Sequence, residues 1–365
     1  LRDTFCLKWD QEHGAKLVDF HGWRMPVSYE KGILFEHEAC RTSAGLFNIT
    51  HMGRARVYGP QALEFCQWAF TNDLSKCPLH SALYGFLLNA DGGILDDVIV
   101  YKESNDSFLW IINAGGREGD IEHLSLLAAG KDLRLDHMSD RTALLALQGP
   151  KADAVLKRLV TGVHLDEIPY FGFGKGSIQG KAVTIMATGY TGEDGYELMC
   201  DVYDAPSVWG LLTEQPEVTA CGLGARDSLR LEAGLPLHGN DIDGKTQPFE
   251  AGLGWAVKMD KAGGFYGREA LRPTPTRKLV GLTLEGNAIP RQHYKVLSGG
   301  QAAGEVTSGI FSPTLKKGIA LAYVGQEFLG KPLEVEIRGK AAPAQVVKLP
   351  WVRHVTKKKA PALKP

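Results

Sequence analysis

The chain has no Cys-x-x-Cys pair, no apolar run near the roughly 18 residues a membrane helix needs, and no surplus of charge of either sign. Each absence removes a class of function. The six cysteines (Cys6, Cys40, Cys66, Cys77, Cys200 and Cys221) are irregularly spaced, which argues against a zinc site or disulfide framework and for buried thiols in a reducing compartment. Without a long apolar run, no membrane partner is expected. With 41 basic against 42 acidic side chains the formal charge is −1, so no basic field is present to hold nucleic acid. Also missing are a Gly-x-Ser-x-Gly elbow, a phosphate loop and a His-Glu-x-x-His helix, and no metal site is expected. What remains is a globular protein that handles a small molecule or a specific protein partner.

A length of 365 residues, 44% hydrophobic and 23% charged, predicts two or three domains. The chain starts at Leu1, as a removed leader or a trimmed end would leave it, and charges interrupt every apolar run in residues 1–20, against a signal peptide. Phe20-His21-Gly22-Trp23 and Met25-Pro26 read as a loop, followed by a helix near 30–42. Leu83–Asn89 and Ile94–Tyr101 read as a hairpin across Ala90-Asp91-Gly92-Gly93, with a third strand at Phe108–Asn113 and a helix at Glu118–Leu127. Residues 142–213 repeat that α+β style, and 222–234 form a helix stopped at Gly234. Beyond about 275 the texture becomes short strands punctuated by Gly and Pro, predicting a small all-β barrel or sandwich. The tail Lys357-Lys358-Lys359 is expected to be a solvated end.

Three constellations carry possible chemistry. In Gly92 to Val100 two adjacent acids, Asp96 and Asp97, start an apolar strand; neighbours face opposite sides, so at most one enters any cleft. The plain structural alternative is a turn cap with the other acid solvated. In Gly189-Tyr190-Thr191-Gly192-Glu193-Asp194-Gly195-Tyr196-Glu197, three glycines allow a close backbone approach to a ligand. Glu197 offers two oxygens to the guanidine-like edge of a flat heterocycle such as a pterin; an ordinary Gly-rich hairpin is the alternative. In Gly222 to Gly234, Arg226 and Arg230 share a helix face. Asp227 pairs with Arg230 at three apart, leaving Arg226 freer to meet an anion, unless the series is only a surface ion-pair ladder. Gly222-x-Gly224 is no dinucleotide loop, because the third glycine is missing and no clear strand leads in.

Taken in order and spacing, these segments resemble the glycine cleavage T-protein family. Further matching stretches are Val18 to Pro26, Leu145 to Pro150, Leu237-His238-Gly239-Asn240-Asp241-Ile242-Asp243 and Thr307 to Leu315. The likeness spans essentially the whole chain; it departs at Thr4-Phe5-Cys6-Leu7 and near Thr356. The resemblance implies a three-domain α+β cloverleaf around a folate channel. Its parts would be residues 1–52 with 140–272, residues 53–139, and a β-barrel with basic tail at 273–365. It implies transfer of the aminomethyl group on the lipoyl arm of an H-protein to tetrahydrofolate, giving 5,10-methylenetetrahydrofolate, ammonia and the dihydrolipoyl arm. By motif match, Asp97 is the key acid beside the reacting nitrogens, Glu197 grips the pterin and Arg226 contacts folate. Met52, Tyr84, Ile111, Asn113, Tyr190 and Trp255 line the channel. The expected partners are tetrahydrofolate and lipoylated H-protein, and the chain is expected to act as a monomer. The expected location is the mitochondrial matrix for a eukaryote and the cytoplasm for a bacterium.

Two readings compete with the enzyme. A non-catalytic folate-binding scaffold of the same fold would carry a Lys-Gly-Cys-Tyr type signature, which is absent here, while Asp97 is present. A folate domain cut from a sarcosine or dimethylglycine oxidase would need an attached flavin domain, and the chain has no fingerprint for one.

Overall fold

A computed structural model describes residues 1–286 and 288–353; Thr356 and Lys357-Lys358-Lys359 lie outside the described residues. The architecture is α+β and contains three main sheets, as the sequence predicts.

The five-stranded sheet is antiparallel throughout, in the order Ser81–Leu88, Ile94–Lys102, Ser107–Ile112, Gly53–Tyr58, Arg134–His137. Its Val98, Val100, Phe108, Trp110 and Ile112 are buried under the helices Ala62–Ala69 and Arg117–Leu127. In the second sheet, of seven strands, Thr142–Gln148 lies between Gly195–Asp201 and Ala44–Asn48. The family resemblance implies two α+β domains with antiparallel sheets; this sheet departs from that at its edge, where Val218–Cys221 runs parallel to Ala44–Asn48. The two strands are joined through the whole of residues 49–217, which include the five-stranded sheet, as a parallel pair cannot be joined by a tight turn. Apolar side chains of both sheets, among them Phe47, Tyr101, Leu109, Ile111, Leu144 and Met199, form a shared core.

The chain passes between these two sheets near residues 50 and 140, and Arg54 holds the crossing. Its guanidinium is buried and donates to the carbonyls of Thr50, Met52, Ser139 and Thr142. Distributing one cation over four carbonyls satisfies backbone that would otherwise be orphaned in a buried loop.

The C-terminal strands close into a six-stranded barrel, Arg277–Leu284 pairing with Lys317–Gly325 on one side and Lys340–Val347 on the other. The barrel is pinned to the helix Leu223–Glu232 by two buried polar clusters. Glu232 accepts from Ser312 Oγ (2.5 Å), Thr314 Oγ1 (2.8 Å) and Arg41 Nη2 (2.9 Å). Arg230 donates to Asp241 Oδ2 and to Ser308 Oγ, each at 2.7 Å. The surface-ladder reading of this helix is therefore wrong for Arg230, which is 1% exposed.

Two further expectations are corrected. The segment read as a loop near 20–26 is a hairpin, Lys16–Phe20 with Trp23–Ser28. His21 (φ 50°) and Gly22 (φ 79°) form its turn, and the positive φ at both central residues matches a primed turn to the strand twist. A strand, Val218–Cys221, does lead into Gly222-x-Gly224. The missing third glycine still rules out a dinucleotide loop, and Glu36 Oε2 already accepts from Gly222 N at 2.8 Å.

Candidate functional site

The two sheets, the helix Leu223–Glu232 and the segments 189–197 and 235–258 enclose a cavity of about 970 Å³. That volume suits a ligand of cofactor size.

Its acidic centre is built by strand register. Tyr84 lies opposite Ile99, and Ile99 opposite Ile111. Asp97 is two residues before Ile99 and so shares its face, within diagonal reach of the tyrosine. Tyr84 OH donates to Asp97 Oδ2 (3.0 Å) and Asn113 Nδ2 donates to Asp97 Oδ1 (2.8 Å). Asp96 points the other way and is fully buried, accepting from Asn113 N (2.8 Å) and Asn113 Nδ2 (2.9 Å). The alternation expected from the sequence therefore holds: Asp97 and Ile99 line the cavity and Asp96 does not. The turn-cap alternative fails for both acids, since the turn is capped by Asn89 Oδ1, which accepts from Asp91 N and Gly93 N. Burial pushes the Asp97 carboxyl up to about 7; the adjacent Asp96 adds to the rise, and His238 opposes it.

Opposite this centre stand Glu197 and Arg226. Glu197 is 5% exposed and its Oε2 accepts from Thr188 Oγ1 at 2.7 Å. Among the described residues its Oε1 has no hydrogen-bond donor. Burial raises this carboxyl, and Thr188 and Arg226 counter the rise. The Arg226 guanidinium sits 4.6 Å over the Tyr190 ring and touches Met52 Sδ. Among the described residues it is hydrogen-bonded to no carboxylate, unlike Arg230, which Asp227 and Asp241 neutralise. A half-buried cation with only a π face and a distant acid is poised for an anion from outside.

Tyr190 is fixed by its OH donating to Pro236 O. Trp255 is 60% exposed at the rim, not in a core, and stacks on Tyr84 with centroids 5.5 Å apart and planes at 23°. All nine residues singled out from the sequence, Met52, Tyr84, Asp97, Ile111, Asn113, Tyr190, Glu197, Arg226 and Trp255, line this one cavity. Gly189 and Gly192 line the cavity, and two of the three glycines, Gly189 and Gly195, are also required by packing within the protein. A Cβ on Gly189 would sit 1.9 Å from Gln148 Oε1, and one on Gly195 would sit 2.3 Å from Leu147 O. Packing against the protein by itself excludes side chains at these two positions. Sequence reasoning passed over His238 and Lys258, which also line the cavity. The stretch Leu237 to Asp243 was quoted only for resemblance, and nothing in its local pattern points inward.

Comparison with known proteins decides the family. The GCVT N-terminal domain model matches residues 6–261, and the glycine cleavage T-protein C-terminal barrel domain model matches residues 277–352. The chain belongs to the glycine cleavage T-protein family. Aminomethyltransferases of Symbiobacterium thermophilum and Thermotoga maritima are 43% and 45% identical to it, over 93% and 94% of this chain and 94% and 95% of theirs. The crystal structure of the glycine cleavage system aminomethyltransferase T from Bartonella henselae superimposes with a TM-score of 0.91 at 37% identity, covering 98% of this chain and all of that one. As a T-protein family member the chain is an aminomethyltransferase. Every residue lining the cavity falls within the first family match, and the barrel of the second contributes by bracing the helix that carries Arg226.

Proposed function

We propose that this T-protein family member transfers the one-carbon unit of an aminomethyl group, carried on the lipoyl arm of an H-protein, to tetrahydrofolate. The carbon's bonds to sulfur and to the amine nitrogen break, and bonds to N5 and N10 of the folate form. The two protons leaving those nitrogens end on the ammonia and the thiol. The observation that carries this reading is the Asp97 carboxylate, held by Tyr84 and Asn113 in a cavity that also presents Glu197 and Arg226.

Each residue fits a part of that task. Glu197, with one oxygen committed to Thr188, has the other available to the guanidine-like edge of a pterin. Arg226 meets carboxylate charge. The stacked pair of Tyr84 and Trp255 offers a flat wall to conjugated rings. Asp97, fixed at both oxygens, sets a negative charge where the transferred carbon becomes electron-poor, and needs no reorganisation to do so. The relatives named above are bacterial, the case in which the activity belongs in the cytoplasm.

The test supplies purified protein with aminomethyl-loaded H-protein and measures ammonia with and without tetrahydrofolate. Folate-dependent release is expected. Folate binding without it would favour the scaffold reading. Glu197→Ala is expected to weaken folate binding by roughly 10–100-fold, the worth of hydrogen bonds to a charged group, while turnover at saturating folate stays within a few-fold; an unchanged folate titration would count against the pterin contact. The pH dependence has a definite sign. Asp97 is neutral below its raised value of about 7 and anionic above it, so kcat/KM for folate is expected to rise through that pH.

A further inference from the structure

Trp255 reaches Tyr84 from a stretch with little regular structure. Residues 254–266 hold one short helical turn, Gly254–Ala256, and otherwise no helix or strand. The place of the ring therefore depends on what this stretch is tied to. It is tied to the C-terminal end of the helix Ala62–Ala69 and to the residues just after it. A helix end leaves its last carbonyls without donors from the helix. Here Thr71 N donates to Phe86 O, not back to Gln67 O. Donors from the 254–266 stretch fill the gap. Tyr266 N donates to Trp68 O (2.8 Å) and Lys258 N to Thr71 O (3.0 Å).

Lys261 meets three more carbonyls at once. Its Nζ donates to Gln67 O (2.6 Å), to Asn72 O (2.9 Å) and to Phe70 O. The residue is 6% exposed, and among the described residues no carboxylate is hydrogen-bonded to it. A cation at the carbonyl end of a helix also meets the negative pole of the helix dipole. Burial draws the amine down to about 7, with Asp73 opposing. A neutral amine, however, has only two N–H donors and would turn a lone pair on the third carbonyl. Three acceptors around one nitrogen therefore hold it as the ammonium.

The clamped junction is part of the cavity wall. Asn72 lines the cavity, and its Nδ2 donates to Tyr84 O at 2.9 Å. Thr71 Oγ1 accepts from Phe86 N (2.9 Å) and donates to Ala256 O (3.0 Å). One side of the junction is thus bonded to the strand that carries Tyr84, and the other to the residue that follows Trp255. A Cβ on Gly85 would lie 2.6 Å from the Phe70 ring, so the glycine between Tyr84 and Phe86 admits the close approach.

We infer that Lys261 is a positioning residue for the stacking wall: its ammonium clamps the stretch that carries Trp255 to the junction beside Tyr84, and so sets the flat face offered to the conjugated rings of folate. Lys261 itself does not line the cavity and acts through these neighbours. The part about folate rests on the function proposed above; the clamp does not.

The experiment is a double-mutant cycle in the full chain, pairing Lys261→Met with Trp255→Ala. Lys261→Met keeps the bulk of the side chain and removes its three donors. It is expected to weaken tetrahydrofolate binding roughly 3–10-fold, the worth of one aromatic pairing, and to raise KM for folate while kcat hardly changes. In the Trp255→Ala background the same substitution is expected to cost no further affinity. Near-ultraviolet circular dichroism reads the stack without any ligand. The signal of Trp255, taken as the difference from a Trp255→Phe counterpart, is expected to be lost in Lys261→Met. An unchanged Trp255 signal, or an equal loss of folate affinity with and without Trp255, overturns the inference. Should Lys261→Met not fold, Lys261→Gln, which keeps a polar end towards the carbonyls, carries the same cycle. A wild-type protein that binds no tetrahydrofolate would sink the folate reading of the cavity, and the dichroism comparison would still decide the clamp.

Discussion

Asp97→Asn is expected to fold normally and to lose turnover by roughly 10²–10⁴-fold, the range for removing a group that stabilises charge or moves a proton at the reacting atoms. Asparagine has the same shape, and its amide can still meet Asn113 and Tyr84, which now bond both oxygens of Asp97. What disappears is the negative charge. Because Asp97 is raised by burial and by Asp96, its removal also relieves repulsion, so the thermal midpoint is expected to hold or to rise. The measurement pairs folate-dependent ammonia release with a melting curve. Activity close to wild type with an intact fold would refute the assigned role.

Glu232→Ala is expected to produce the largest loss of stability, roughly 3–5 kcal/mol, as when one partner of a buried ion pair is removed. Glu232 is wholly buried and collects Arg41, His37, Ser312 and Thr314. Removing it leaves the donors of the 312–314 turn without their acceptor and Arg41 with Glu193 as its remaining carboxylate, and it takes away one of the two clusters that pin the barrel to the helix that carries Arg226. The same residue sets an acid limit. Burial alone would raise the Glu232 carboxyl, but hydrogen bonds from His37 and Ser312 outweigh it and hold the group at about 2, below its ordinary 4.5. A depressed carboxyl contributes stability fully above its unfolded value and loses it as pH falls through its folded one. Wild-type stability should therefore fall by about 3 kcal/mol between pH 4.5 and pH 2. Denaturant titrations across that window, with Glu232→Ala as the control that lacks this dependence, check the sign and the size.

Much of the polar machinery was legible because it obeys local periodicity. The hairpin at 90–93 and the two faces of Asp96 and Asp97 follow from turn glycines and a period of two. The pairing of Arg230 with Asp227 follows from helix spacing. The family likeness then named the nine cavity residues, which no local pattern would have gathered. Where local reasoning failed, an unseen partner explains it. The hairpin around His21-Gly22 was hidden because polar and apolar residues alternate imperfectly there. The glycines at 189 and 195 looked ligand-directed because Gln148 and Leu147, some 40 residues earlier, are invisible to a local window. His238 was passed over because its significance lies in a carboxylate more than 100 residues away.

The amino-acid sequence by itself determined most of the element types, the all-β character of the C-terminal part, and that at most one of two neighbouring acids could enter a cleft, since these depend on backbone sterics and side-chain alternation over a few residues. Only the tertiary structure decided that, among the described residues, Arg226 is left without a bonded carboxylate while Arg230 is neutralised, that Asp96 and Asp120 are both buried, and that an imidazole lies beside Asp96. Those are electrostatic facts. They depend on distances and burial, which the packing of remote segments sets and no run of neighbouring residues contains.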